Sequence, residues 1–338
     1  MTHLKFERHS TFNRRQALAL GLAAAVAPLA AKRSFAAAPV VRLTSVRAGS
    51  VSWLIETIRA EGLDKKHGFD LQPIEVANNQ AAPIALLAGE ADITVSDWTW
   101  AMRQRARGQD FKFAAYSSAL GSLVVPKDSP VKALGDLEGK RLGVAGSSSD
   151  KSWILLKAYA KKTLGKDLGQ MCETVFGAAP LVTEEFKSGR LDACLNFWTF
   201  AAKLTGSGAR QVVTMADVIE ALDVSPAPPL VGFIWPEKIA QDKPVPVDEF
   251  LDAAKDANAI LVNNDAAWER LKPLVKAAGD DEFASLKSAF RAGVTGPWNA
   301  ADTAAAEKLS KLLTALGDTD LSGDGTRFDP NLFYIKAR

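Results

Sequence analysis

Three consecutive serines, Ser147-Ser148-Ser149, follow the short apolar run Leu142–Ala145. Beyond them Trp153, Leu156, Ala160 and Leu164 recur at helical spacing. Serine is a good helix N-cap, and Gly143 and Gly146 let the backbone bend closely beside the turn. Such a strand, turn and helix aims backbone N–H groups and hydroxyls at the space beyond the strand end, where open α/β sheets hold small polar ligands. The same residues also suit an ordinary capped helix. Nucleotide phosphates are a poor fit, because the stretch carries neither GxxxxGK[ST] nor GxGxxG. Of the three histidines only His67 lies beyond residue 36, which removes most metal and nucleophile–base chemistry. Cys172 and Cys194 are the only cysteines.

Residues 1–36 read as an export signal. Lys5, Arg8, Arg14 and Arg15 precede an apolar stretch, Ala17 to Ala31, that is too short and Ala-rich for a good membrane span. Asn13-Arg14-Arg15-Gln16-Ala17-Leu18 resembles the twin-arginine pattern, and Ser34-Phe35-Ala36 supplies the small residues that a signal peptidase reads, so cleavage is expected near Ala36 and the mature chain in the periplasm. The leader holds six of the 41 basic residues and one of the 39 acids, so the remainder carries a net charge near −3. That balance argues against a nucleic-acid partner. About 300 remaining residues are enough for two domains with real cores.

The pattern predicts strands at 40–47, 69–76, 91–96 and 111–117, alternating with helices at 52–66, 81–88 and 97–107. A second series follows, with strands from 123, at 141–145, 172–176, 191–197 and 210–215, and helices at 149–164, 179–188 and 198–204. An apolar run at 230–234 comes after the Pro-rich stretch 226–229. From 236 the chain reads as helices, roughly 236–242, 247–263, 265–278, 280–291 and 301–317. Strands alternating with helices imply an α/β fold with mainly parallel sheets covered on both faces.

Three stretches carry a family resemblance. Asn79–Ile93, with Leu86-Leu87-Ala88-Gly89-Glu90-Ala91-Asp92, resembles a small-residue helix ending in L-x-x-G-x-A-D. Val125–Pro130 with Leu134–Val144 resembles a strand followed by L-x-D-L-x-G-K-x-V-G-V, and Glu185–Ala193 resembles a later copy of the first segment. In this order, after an export signal, they resemble the periplasmic solute-binding proteins of ABC importers, in the nitrate, sulfonate and taurine family that also includes thiamine-precursor binders.

The resemblance implies a type II periplasmic-binding-protein fold: two parallel-sheet lobes joined by two crossing strands, with a ligand cleft between them. Lobe I would be 40–122 plus 231–338, and lobe II 123–230. In such lobes the first strand sits between the second and third, so the strands of Cys172 and Cys194 would be too far apart for a disulfide. Residues past the strand ends would line the cleft: Ser50, Trp53, Asn78, Asn79, Asp97, Trp98, Ser117 and Ser118 from lobe I, and Ser147, Ser148, Ser149, Asn196, Phe197 and Trp198 from lobe II. Phe233 and Trp235 would join at the second crossing. Each Trp could equally be core, and Asp97 could simply cap its helix. With no Arg at these positions and Asp150 beside the serines, a planar heterocycle or a zwitterion fits as well as a sulfonate. The expected partners are a small-molecule ligand, a permease and its ATPase subunit, with the binding protein a monomer and no cofactor. A sensor subunit for a membrane receptor would share this cleft. An enzyme on the pyrimidine-precursor-synthase fold would need cleft histidines and a Cys-rich motif, which the chain lacks. Asp318, Asp320, Ser322, Asp324 and Asp329 have the spacing of a calcium loop, or of a solvated turn, with Gly325 and Pro330 departing from the calcium pattern.

Overall fold

The chain alternates strand and helix twice over before ending in helices. The first series is β1 (Val40–Val46), α1 (Ser50–Ala60), α2 (Leu63–Lys66), β2 (Asp70–Val76), α3 (Ala81–Leu87), β3 (Thr94–Asp97), α4 (Trp98–Ala106) and β4 (Phe111–Ser117). The second is β5 (Ser122–Val125), β6 (Arg141–Ala145), α5 (Lys151–Leu164), α6 (Leu168–Met171), β7 (Glu173–Gly177), α7 (Ala179–Lys187), β8 (Ala193–Asn196), α8 (Trp198–Gly206), β9 (Arg210–Thr214) and α9 (Met215–Ala221). The chain returns through β10 (Val231–Pro236) and continues with α10 (Val247–Asn263), α11 (Asp265–Val275), α12 (Asp280–Gly293) and α13 (Ala300–Ala315). This computed structural model describes residues 37–46, 49–148, 150–239, 245–315 and 327–336. The segment 1–36 expected to serve export, Ser149, and Asp318, Asp320, Ser322 and Asp324 lie outside the described residues.

Three local expectations are corrected. The helix expected over 52–66 divides in two, because Gly62 adopts the left-handed conformation at φ 61° between α1 and α2. The cap of α5 is Asp150, whose carboxylate accepts from Ser152 N at 2.9 Å, rather than a serine of the preceding turn. The unforeseen α9 is held by a capping box: Thr214 accepts from Asp217 N at 2.9 Å, and Asp217 accepts from Thr214 N at 3.0 Å.

The sheets follow from the series. β1 pairs in parallel with β2. The Leu43–Ile93 bridge, with Thr44 N donating to Ile93 O at 3.0 Å, joins β1 to the sheet β3-β10-β4. The strand order is therefore β2-β1-β3-β10-β4, and the second sheet repeats it as β7-β6-β8-β5-β9. The expectation of parallel pairing holds for β1–β2, β6–β7 and β6–β8. The crossing strands alone run the other way, β5 antiparallel to β8 and β9, and β10 antiparallel to β3 and β4. Each reaches its sheet from the other series and enters at the end where the sheet's own strands finish. β6 separates β7 from β8, so Cys172 and Cys194 stand on opposite sides of it, both free and buried.

The repeat extends to side chains. Gly89 and Gly189, at φ 73° and 75°, end α3 and follow α7, and an aspartate stands three residues beyond each. Asp92 accepts from Arg42 N at 2.9 Å and Asp192 from Arg141 N at 2.8 Å, while each aspartate's own N–H donates back to that arginine's carbonyl at 2.9 Å. The motif thus ties the loop before the third strand to the first strand. Further on, Trp98-Thr99-Trp100-Ala101 and Trp198-Thr199-Phe200-Ala201 open α4 and α8.

The apolar faces close the layers. Val41 and Leu43 on β1, Leu54 and Ile58 on α1, Phe69, and Phe250 on α10 are fully buried together. Each such side chain contributes about 1.5–3 kcal/mol on removal from water.

Candidate functional site

The carboxyl ends of β1, β3, β6 and β8 each deliver the chain to the N-terminus of a helix: α1, α4, α5 and α8. These helix starts meet in two contacts, and both contacts link one series to the other.

The first is ionic. Asp97 is the N-cap of α4 and accepts from Trp100 N at 3.0 Å and from the Thr99 hydroxyl. Its second oxygen accepts from Lys151 Nζ at 2.8 Å, across from the first residue of α5. Burial alone would raise the Asp97 carboxyl, but the charge and hydrogen bond of Lys151, the Thr99 hydroxyl and the Arg103 charge together hold it well below the usual carboxylate range. Burial likewise opposes the Lys151 ammonium, and Asp97 and Asp150 outweigh it and raise its pKa. Sequence reasoning missed Lys151. A signal was present: a lysine in the first turn of a helix opposes the helix dipole unless an anion answers it.

The second contact is aromatic. Trp198, the first residue of α8, meets Trp53 of α1 edge-on, with ring centroids 5.9 Å apart and planes at 90°. Trp53 also packs against Trp268 and Phe290 at 5.7 and 6.0 Å. No side chain caps α1 at Gly49 or α8 at Phe197. Both helices therefore present first-turn N–H groups at the strand ends, with the positive end of each helix dipole. Ser50 opens α1. Tyr116 lies close enough to Ser50 for that hydroxyl to oppose the rise of its phenol, which burial pushes up to about 12. The Trp53 indole N–H is buried without a hydrogen-bond partner, and the Tyr116 hydroxyl is buried beside Ser50 with no well-formed hydrogen bond. Trp98 Nε1 and Asn258 Oδ1 are buried and unpaired as well.

Other predicted residues are placed differently. Asn78 accepts from Ala81 N at 2.9 Å, and Asn79 is exposed. Ser117 accepts from Ala119 N at 3.0 Å, and Ser118 N donates to Gly293 O at 2.8 Å. Ser147 and Ser148 are exposed. Asn196 is spent inside the fold: its amide donates to Ala179 O at 3.2 Å and Thr183 Oγ1 at 2.9 Å, and its oxygen accepts from Phe197 N at 2.9 Å. Trp98 turns into the core against Phe328 and Phe333. Phe233 packs on Tyr116 and Phe250. Trp235 faces Tyr334 and pairs with Lys112, at the end of β4 away from Ser117, because β10 runs antiparallel. A cavity of about 480 Å³ opens beside Trp198, lined by Ser118, Ser122, Thr205 and Ser285 among others.

Burial raises both thiols, Cys194 to about 12. Asp329 accepts from Arg105 Nε at 2.8 Å and from Asn331 N at 3.0 Å. Among the described residues no group of three His, Cys, Asp or Glu is placed to hold a metal ion. Among them, too, no helix is long and apolar enough to cross a membrane.

This arrangement has counterparts in solved structures. The alkanesulfonate-binding protein SsuA from Xanthomonas axonopodis pv. citri, bound to MOPS, is 16% identical, with a TM-score of 0.67 over 88% of this chain and 99% of that one. The periplasmic aliphatic sulphonate binding protein SsuA from Escherichia coli is 15% identical, with a TM-score of 0.65 over 82% of this chain and 87% of that one. The desulfurization enzyme DSZB shares the fold at 16% identity and a TM-score of 0.58, over 87% of this chain and 97% of that one. These likenesses show a type II periplasmic-binding-protein fold. No curated protein sequence matches the chain. Residues 59–267, more than half of the sequence, match the sequence model of the NMT1/THI5-like family, and the chain belongs to that family.

Proposed function

We propose that the protein is the solute-binding component of an ABC importer, exported to the periplasm, that captures a small organic anion and passes it to a membrane permease. The observation that carries this reading is the pair of uncapped helix starts, α1 and α8, which approach each other through the Trp53–Trp198 contact. An acid head group would take first-turn N–H groups together with the Ser50 and Tyr116 hydroxyls. The body of the solute would lie against Trp198, whose ring is backed by the buried Trp53. Lobe I is 40–122 with 231–338, lobe II is 123–230, and closure brings the two helix starts onto one ligand, so that the ligand favours the closed state by touching both.

Tyr116→Phe tests this through two readouts. It removes a buried hydroxyl that makes no well-formed hydrogen bond, so the stability of the free protein changes by about 1 kcal/mol or less. It also removes one hydrogen bond to the bound acid, so affinity for a short alkanesulfonate falls about tenfold or more. Calorimetric titration of the wild type and the variant with ethanesulfonate, hexanesulfonate and an aminopyrimidine reads both. Binding of the aminopyrimidine alone, or equal sulfonate affinity in the two proteins, would sink the organic-anion reading.

A further inference from the structure

We propose that Asp97 is a tethered anion occupying an anion seat built between the two series, and that it sets the specificity of the cleft by keeping simple inorganic anions off Lys151. This rests on the solute-binding reading and adds the group that decides which anions are refused.

The seat has the donors an oxyanion needs. Lys151 Nζ supplies the cation at 2.8 Å, Trp100 supplies a backbone N–H at 3.0 Å at the start of α4, and Thr99 supplies a hydroxyl. Arg103 adds positive charge from the same helix. Donors come from both series, so any anion held there links them. Only the anion is unusual, because it belongs to the chain. With side-chain exposures of 13% for Asp97 and 28% for Lys151, the pair is largely withdrawn from water.

The internal repeat indicates that the fold does not require this carboxylate. Asp97 precedes Trp98-Thr99-Trp100-Ala101, and its counterpart before Trp198-Thr199-Phe200-Ala201 is Phe197. α8 forms with that phenylalanine and no side-chain cap. An aspartate at the first copy therefore does something the second copy manages without. Lys151 points the same way: a cation at a helix start is disfavoured by the dipole, and beside the neighbouring Asp150 it is Asp97 that answers it with a direct ion pair at 2.8 Å. With Asp97 in place, a sulfate or nitrate reaching Lys151 would have to displace a carboxylate whose effective concentration is that of an intramolecular group. A solute whose acid is held at α1 and α8 avoids that competition.

The test is Asp97→Ser, which keeps an oxygen to accept from Trp100 N while removing the charge, with sodium sulfate and sodium nitrate as probes. Asp97→Asn, nearly the same shape, carries the same test. Binding is read by calorimetric titration and by the rise of melting temperature with anion concentration at fixed ionic strength, which reports on a destabilised variant as well. The expected result is saturable sulfate binding at least about tenfold tighter than in the wild type, lost again in Asp97→Ser/Lys151→Met. No gain in either variant, or a gain that survives Lys151→Met, would overturn the proposal. Titration of the wild type with ethanesulfonate separates the two readings. A wild type that binds no sulfonate, beside a variant that gains sulfate, refutes the importer ligand and leaves the seat standing.

Discussion

Asp92 and Asp192 hold corresponding places in the two series, yet their surroundings differ. Asp92 is buried and takes the Arg42 backbone N–H at 2.9 Å together with its guanidinium, Nη2 to Oδ1 at 2.7 Å and Nε to Oδ2 at 3.1 Å. Asp192 takes the Arg141 backbone N–H, while the Arg141 guanidinium turns to Arg190 O and Glu173. Removing Asp92 leaves a partly buried arginine without its anion as well as an open backbone donor. Asp92→Ala should therefore cost about 2–3 kcal/mol and Asp192→Ala about 1 kcal/mol, read as shifts in the urea midpoint at unchanged slope. Equal losses would show that the guanidinium adds nothing to the tie. The two G-x-x-D motifs were legible in the sequence, but their work was not, because the partner arginine lies some fifty residues earlier. Asn196 misled for a related reason: a polar residue at a strand end reads as a ligand contact until its three internal hydrogen bonds are seen.

At the scale of elements, α8 of the second series packs closely against α12 of the C-terminal helices. Thr205 and Ser285 hydroxyls lie 3.1 Å apart, Ser285 donates to Ala202 O at 2.7 Å, and Ser207 donates to Glu282 at 2.6 Å. Gly206 makes the approach possible, since a Cβ there would stand 2.6 Å from Glu282 Cα and 2.8 Å from Asp281 O. Both are backbone atoms, so no rotamer change relieves the clash. An exposed helical Gly→Ala substitution ordinarily stabilises by about 1 kcal/mol. Gly206→Ala should instead destabilise by about 2 kcal/mol or more, because α8 and α12 must separate. A thermal melt that moves upward would mean the two helices part at no cost. Periodicity placed α10 at its observed bounds, because the apolar stripe is long and amphipathic. It missed α9, where the Thr214-x-x-Asp217 box was the available sign, and it could not foresee a contact that depends on which two distant helices meet.

In the whole molecule one supersecondary pattern is used twice, and β5 and β10 are the strands by which the chain crosses from one sheet into the other. The place of the first strand between the second and third was legible once the resemblance was stated. The direction of the crossing strands was not, because a short apolar run carries no sign of its direction. Asp97–Lys151 is an ion pair joining the helix starts of the two series, so its loss acts on their coupling as well as on a local cap. Asp97 is held below the ordinary carboxylate range in the folded protein, against about 3.9 when unfolded. A depressed carboxylate contributes stability that is fully present well above pH 4 and is lost as the pH falls through its folded value. Asp150 works in the opposite direction, since burial raises its carboxyl despite Lys151 and the Ser152 and Trp153 N–H groups. That contribution is present in both proteins when wild type is compared with Asp97→Asn. The variant should be less stable at pH 7, and the gap should narrow as the pH is lowered from 5 towards 3, because only the wild type has this ionisation to lose. Melting temperatures across that range, at ionic strength high enough to screen surface charges, provide the measurement. A gap that stays constant would mean that the Asp97 side chain acts through its shape and its cap, and that its charge does not couple the two series.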